Sequence, residues 1–186
     1  MPRQLLVGKA PCLGDKELQN GGGKILVFAK DVASANETAR ILIDSHHNGE
    51  SMVPEDSILL YHSGVPLKQR AEVLTQLRND EGSGLIMICT DAASRGIDLP
   101  DVSHVIQADF APSAIDFVHR VGRTGRAGRS GTVTSLYCQG DTPLVDAIRD
   151  AVLSGRPVEG AFSRKRSFKK KFKRYGTYVP RGEGGS

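Results

Sequence analysis

Five short apolar runs recur along this chain, and most of the stretches between them carry apolar residues at helical spacing. The runs are Ile25-Leu26-Val27-Phe28, Ser57-Ile58-Leu59-Leu60-Tyr61, Leu85-Ile86-Met87-Ile88-Cys89, Val102 to Gln107, and Thr132 to Tyr137. A strand with no polar alternation must be buried on both faces, as in a parallel sheet covered by helices. The intervening pattern supplies those helices. Asp31 can cap one whose apolar face is Val32, Ala35, Ala39 and Leu42. Pro66 suits the first turn of another through Val73, Leu74 and Leu77. Ser113 and Asp116 form a capping box for a helix running to Gly122. Asp141 opens a last helix with Leu144, Val145, Ile148 and Val152 inward, ended by Gly155. The fold class is α/β: a doubly wound parallel sheet with helices on both faces and right-handed connections.

This places one domain over residues 24–156. Residues 1–23 have weak periodicity and end in Asn20-Gly21-Gly22-Gly23, a leader and flexible join. Residues 157–186 are a tail. Charge separates tail from body: residues 163–186 hold nine Lys/Arg against one Glu, a surplus of eight. With the whole chain at +4, the remainder is net −4. No apolar run approaches the roughly 20 residues of a bilayer span, so a membrane is not an expected partner. Cys12, Cys89 and Cys138 cannot all pair, and no two have the short spacing of a metal knuckle. They read as reduced thiols of an intracellular protein, and no metal site is expected.

In open α/β sheets the working loops lie beyond the carboxyl ends of the strands. Two segments there carry chemistry. The first is His119-Arg120-Val121-Gly122-Arg123-Thr124-Gly125-Arg126-Ala127-Gly128, with three arginines in seven residues and glycines at 122, 125, 128 and 131. A guanidinium is planar, always charged and able to hold phosphate oxygens with two parallel bonds. Glycines between them let the backbone turn tightly. The alternative is a surface loop of solvated arginines. The second is Thr90-Asp91-Ala92-Ala93-Ser94-Arg95-Gly96-Ile97-Asp98. A hydroxyl at a strand end, followed by helix amides, suits a phosphate, and a later Asp can accept from a sugar hydroxyl. The alternative is a capped helix start closed by an Arg95–Asp98 pair. Gly21-Gly22-Gly23-Lys24 is not read as a phosphate loop, because Ile25 stands where a hydroxyl residue is needed and a strand comes next.

Taken together, the two segments resemble motifs V and VI of the DEAD-box ATP-dependent RNA helicases, in order and at similar spacing. Tyr61-His62-Ser63-Gly64 through Arg70 resembles the segment just before motif V, and Leu26-Val27-Phe28-Ala29 resembles motif IV. The resemblance implies a RecA-like domain, the second of two. It implies that Arg123 and Arg126 are arginine fingers reaching the γ-phosphate of ATP, and that Asp98 bonds the nucleotide ribose. His119 would couple the ATP site to the first domain, and Arg95 would order its own loop. Thr90 and Arg70, with Gly64 beside them, would contact the RNA sugar–phosphate backbone, largely without reading sequence. Two positions depart from the family pattern: Ser63 stands where Gly is usual, and Leu67 where Gln is usual.

The 186 residues contain no Gly-x-x-x-x-Gly-Lys-Ser/Thr and no Asp-Glu-Ala-Asp. ATP would therefore be shared with the first RecA-like domain, which would hold most of the Mg²⁺ contacts. The expectation is one half of a monomeric ATP-dependent helicase, inactive alone, through truncation, a partial gene model or an excised domain. The rival reading is a standalone RNA-binding or regulatory module without catalysis.

The tail sequence from Ser163 to Tyr175 holds eight basic residues and three aromatics. It cannot bury a core and should be disordered alone. Arg164, Lys165, Arg166, Lys169, Lys170 and Lys171 would release counterions from RNA while aromatic faces stack on bases. A nuclear-import signal is the other reading. Residues 158–166 also resemble tails of plant organellar DEAD-box helicases. That points to a chloroplast or mitochondrion, with nucleus or cytoplasm the alternative.

Overall fold

Each apolar run becomes a strand, and all five lie parallel in one sheet. The computed structural model describes residues 3–10, 23–47, 53–97, 99, 102–126 and 128–163. The strands are β1 (Arg3–Ala10), β2 (Lys24–Ala29), β3 (Ile58–Tyr61), β4 (Ile86–Thr90), β5 (Val102–Gln107) and β6 (Gly131–Cys138). The helices are α1 (Val32–His47), α2 (Leu67–Asn79), α3 (Asp91–Ser94), α4 (Ala114–Val121), α5 (Thr142–Leu153) and α6 (Glu159–Ser163). One sheet holds all six strands in the order β1-β6-β5-β2-β4-β3. The five from β2 to β6 are parallel, and β1 runs antiparallel to β6.

The continuous apolar runs reflect burial on both sides. Along β2, Val27 and Ala29 face one way, packed with Ala35 and Ala39 of α1 and with Ile86 and Ile88 of β4. Leu26 and Phe28 face the other way, with Met87, Cys89, Val105 and Leu77 of α2. Leu77 is fully buried and anchors α2; its truncation to Ala would cost about 2–5 kcal/mol. Asp31 caps α1 as its position suggests, its Oδ1 accepting from Ser34 N at 2.8 Å. Ser113 caps α4: its Oγ accepts from Asp116 N at 3.1 Å and donates to Asp116 Oδ2 at 2.6 Å.

Three expectations are corrected. Residues 3–10, read as leader, form an edge strand paired with β6 from Arg3↔Cys138 to Ala10↔Gly131. Its sequence holds only Leu5-Leu6-Val7 as an apolar run, between Gln4 and Gly8. The domain also does not end at residue 156. Gly155, with φ of 61°, stops α5, but the chain returns through α6 and buries Ala161 beside Phe117, Leu144 and Ile148. On α5 the inward position after Ile148 is Ala151, one turn on; Val152 is 54% exposed. The tail residues Arg164, Lys165, Arg166, Lys169, Lys170 and Lys171 lie outside the described residues. Among the described residues, no helix is long and apolar enough to cross a membrane.

Candidate functional site

The carboxyl ends of β2, β4 and β5 lie side by side, and a single arginine ties the segment after β4 to the segment after β5. Arg120 lies on the same face of α4 as Phe117, three residues earlier, so its side chain points into the domain and is 1% exposed. Its Nε and Nη2 donate to Asp91 Oδ1 and Oδ2 at 2.7 and 2.6 Å. Nη1 donates to Gln107 Oε1 at 3.1 Å and to the Asp109 carbonyl at 2.6 Å. Its guanidinium carbon lies 5.2 Å from the centre of the Phe28 ring. Gln107 is buried and tied further, donating to Ser135 Oγ at 2.9 Å and accepting from Ala111 N at 3.2 Å. A buried guanidinium is tolerable only when its donors are met by acceptors and its charge by a carboxylate. Arg120 has both.

This pair sets the position of the arginine loop. After α4 the backbone turns through Gly125 and Gly128, at φ of 67° and 78°, a region that favours glycine. Thr124 is buried and its hydroxyl donates to the Val102 carbonyl at 2.6 Å, pinning the loop to the start of β5. Gly131 leaves the space for that pin. A Cβ there would stand 2.2 Å from Thr124 Oγ1 and 2.6 Å from Gly125 N. Arg123 is half-buried and donates from Nη1 to the Ile97 carbonyl at 2.5 Å. Arg126 is exposed, with Nε donating to the Gly122 carbonyl at 2.5 Å. His119 is exposed on α4.

Asp91, Ser94, Arg95, His119, Arg120 and Arg123 line one small cavity beside this loop. Arg95 was expected to order its own loop. It is 67% exposed, and its Nη2 lies 3.7 Å from Asp116 of α4, so it links the two segments at the surface. Asp98, expected at the ribose, lies outside the described residues. Thr90 ends β4 and is buried. The helix after it is one four-residue turn, so it offers fewer amides to a phosphate than the sequence suggested.

The third segment sits at the end of β3. His62 is buried, Gly64 is exposed, and Arg70 on α2 lies with its guanidinium carbon 6.0 Å from the centre of the Tyr61 ring. Leu67, at the position where the family usually has Gln, is 74% exposed on the first turn of α2. Between these edges, Asp109 accepts from Lys30 N at 3.1 Å and from the Ser34 hydroxyl, joining the loops after β2 and β5. Burial pushes the Cys89 thiol up to about 12, which removes it as a nucleophile.

Asp91, Gln107, Asp109 and Thr124 were not singled out from the sequence, and Arg120 was counted only among the motif's charges. One signal was available for Arg120: a charged residue three after Phe117 and next to Val121 sits on the core face of its helix. Nothing in the spacing of Gln107 or Asp109 marks them.

Comparison with known proteins agrees with the geometry. Residues 8–128 match the helicase conserved C-terminal domain. The chain is 58% identical over 114 residues to DEAD-box ATP-dependent RNA helicase 22 of Arabidopsis thaliana, covering 61% of this chain and 19% of the relative. It is 48% identical over 154 residues to DEAD-box ATP-dependent RNA helicase 22 of Oryza sativa subsp. japonica, covering 83% of this chain and 25% of the relative. Among solved structures, the E. coli DEAD-box protein SrmB bound to RraA superposes with a TM-score of 0.54 at 32% identity, covering 66% of each chain. Domain 2 of the DEAD-box helicase Mss116p bound to an RNA duplex gives 0.58 at 28% identity, covering 74% of this chain and 50% of that one. The parallel sheet of this order, with an arginine-rich loop between α4 and β6 pinned to the start of β5, is the RecA-like domain of these helicases. The chain belongs to the helicase conserved C-terminal domain family, in its DEAD-box branch. It spans a quarter or less of the length of these two curated relatives.

Proposed function

We propose that this chain is the second ATPase half of an ATP-dependent RNA helicase, which couples ATP hydrolysis to RNA duplex unwinding or remodelling of RNA–protein complexes. The observation that carries the reading is the buried Arg120–Asp91 pair. It clamps the helix bearing the arginine loop onto the segment after Thr90, so the nucleotide-facing and RNA-facing residues move as one unit.

The residues fit a polyphosphate. His119 and Arg126 are exposed and Arg123 is half-buried, while the nearby carboxylates are already engaged, Asp91 by Arg120 and Asp116 by Ser113 and Arg95. Arg123 and Arg126 bring positive charge to the rim, and the carboxylates that would repel a phosphate are paired. ATP, bound between the two domains, supplies the phosphoryl bond whose cleavage drives the cycle. Arg123 and Arg126 meet the charge that spreads over the γ-phosphate oxygens, His119 couples that site to the first domain, and Asp98 bonds the ribose. Mg²⁺ is held mainly by the first domain, and the protein works as a monomer. Thr90, Gly64 and Arg70 hold the RNA backbone, and the basic tail tethers the RNA.

Binding of a fluorescent single-stranded RNA across a salt series tests the RNA side of this reading. If about four tail charges meet phosphates, log K against log salt has a slope near −3, from about −0.7 per contact on single strands. Truncation after Ser163 keeps α6 and its buried Ala161 and should flatten that slope, leaving weaker binding that Arg70→Ala lowers further. No RNA binding by the full chain in low salt would contradict the reading.

A further inference from the structure

The turn between β3 and α2 is held by a histidine whose proton has only one place to be. His62 directly succeeds β3 and is 3% exposed. Its Nδ1 lies 3.2 Å from the Gly64 amide nitrogen. A backbone N–H can only donate, so Nδ1 carries the lone pair. The ring proton is therefore on Nε2, 3.0 Å from Asn36 Oδ1 of α1, which accepts it. The next amide, Val65 N, donates to the His62 carbonyl at 3.0 Å. The backbone at 64 presses against this ring: a Cβ on Gly64 would stand 3.2 Å from His62 Cε1 and Nδ1 and from Val32 Cγ1.

We propose that His62, as the neutral Nε2–H tautomer, is the positioning residue of the RNA-backbone segment, holding Gly64 in place relative to Arg70, and that its protonation releases the segment. The inference rests on the reading of Gly64 and Arg70 as RNA contacts. Protonation would place a second N–H opposite the Gly64 N–H and turn a bond into a repulsion. It would also set a cation near Arg70, whose Nε is already buried without a hydrogen-bond partner. From α1 the ring faces Asn36 and Val32, neither charged, and from α2 the charge of the Arg70 guanidinium bears on it. Burial first, and the charge of Arg70 second, hold the imidazole below its ordinary range. The segment is therefore set at neutral pH and released on acidification.

The test is the affinity of the full 186-residue chain for a labelled ten-nucleotide oligouridylate between pH 5.5 and 7.5 at constant ionic strength, for wild type, His62→Asn and His62→Leu. Proton-linked backbone spectra of the Gly64 amide are recorded alongside. The lysines and arginines of the tail do not change charge in this window, so the pH dependence reports the folded body. Wild type should lose affinity as pH falls. His62→Asn keeps an acceptor near the Nδ1 position, loses the Nε2–H bond to Asn36 and cannot take a proton, so it should bind more tightly than His62→Leu at pH 7.5 and show a flatter profile than wild type. His62→Leu keeps the apolar packing without the acceptor and should bind about three- to tenfold more weakly at pH 7.5, the order of one lost hydrogen bond. The Gly64 amide should shift with the imidazole titration. Parallel profiles for wild type and His62→Asn, or a Gly64 amide that stays still while the ring titrates, would overturn the inference and leave the RNA reading standing. No RNA binding by wild type at pH 7.5 would overturn both.

Discussion

Arg120 and Asp91 are joined by two parallel hydrogen bonds of 2.7 and 2.6 Å, with the guanidinium buried and the carboxylate 19% exposed. One partner belongs to the helix that carries the arginine loop and the other comes directly after the strand that ends in Thr90. Breaking a buried pair by removing one member costs about 3–5 kcal/mol, because the remaining charge is left without its counterpart. Arg120→Met should therefore lower the stability of the chain by about that much in urea unfolding. Arg120→Lys keeps the charge but loses the planar fork that serves Asp91, Gln107 and Asp109 together, so it should recover only part of the loss. A change within about ±0.5 kcal/mol for either variant, the range of an ordinary surface substitution, would mean the pair holds nothing in place.

Gly131→Ala should disturb the arginine loop from a distance. The added methyl would meet Thr124 Oγ1 and Gly125 N inside any allowed contact, so either the Thr124–Val102 bond or the backbone must give. The expected cost is about 1–3 kcal/mol, the range of an overpacked site. Amide exchange at Gly125 and Arg126 should rise more than exchange in β2 or β4. Uniform protection across the domain would show that the loop is not held by Thr124.

Much of this arrangement can be read from residues alone, and the limits are physical. The runs at β2 and β4 are legible because both of their faces are buried, which leaves no polar position to interrupt them. The capping by Asp31 and Ser113 is legible because it depends on local spacing. Edge strand β1 is not, since its apolar run is only Leu5-Leu6-Val7, between Gln4 and Gly8. The packing of α6 is hidden behind Gly155, which reads as a stop and is one, although the chain then returns. At the site, Arg123 and Arg126 stand out because they are repeated between glycines. Arg120 looks like their equal in sequence and plays the opposite part, because its neighbour Phe117 turns it inward. Gln107 and Asp109 acquire their roles only when β5 is laid beside β2 and β6.

Acidification should weaken the fold as well as the RNA segment. His62 and His104 are both held below the ordinary histidine range, in each case first by burial, with Arg70 adding to the effect at His62. In the unfolded chain both titrate near about 6.5. Below that value the unfolded state takes up protons that the folded state refuses, so stability falls as pH drops from about 6.5 toward the depressed folded values. Above it the two states bind protons alike and the effect vanishes. The urea midpoint should be level between pH 7 and 8 and decline toward 5.5. His104→Gln should soften that decline. A midpoint unchanged across the whole range would contradict the burial of these two rings.

Arg123 and Arg126 are proposed to act on phosphoryl transfer. The direct test joins this chain to a first domain bearing the P-loop and acidic motifs and measures RNA-stimulated ATP turnover. Wild type, Arg123→Lys and Arg126→Lys are compared, with the 186-residue chain alone, expected to be inactive, as the baseline. Arginine fingers in comparable enzymes are worth roughly 10³–10⁵ in rate, and lysine lacks the planar fork that spreads over the γ-phosphate oxygens. Both variants should therefore lose most of their kcat with little change in the KM for ATP. Stability should fall by about 1 kcal/mol at most for Arg123→Lys, which gives up the bond to the Ile97 carbonyl, and less for the exposed Arg126. Near-normal kcat in both variants, or a collapse in melting temperature that accounts for the lost activity, would contradict the account.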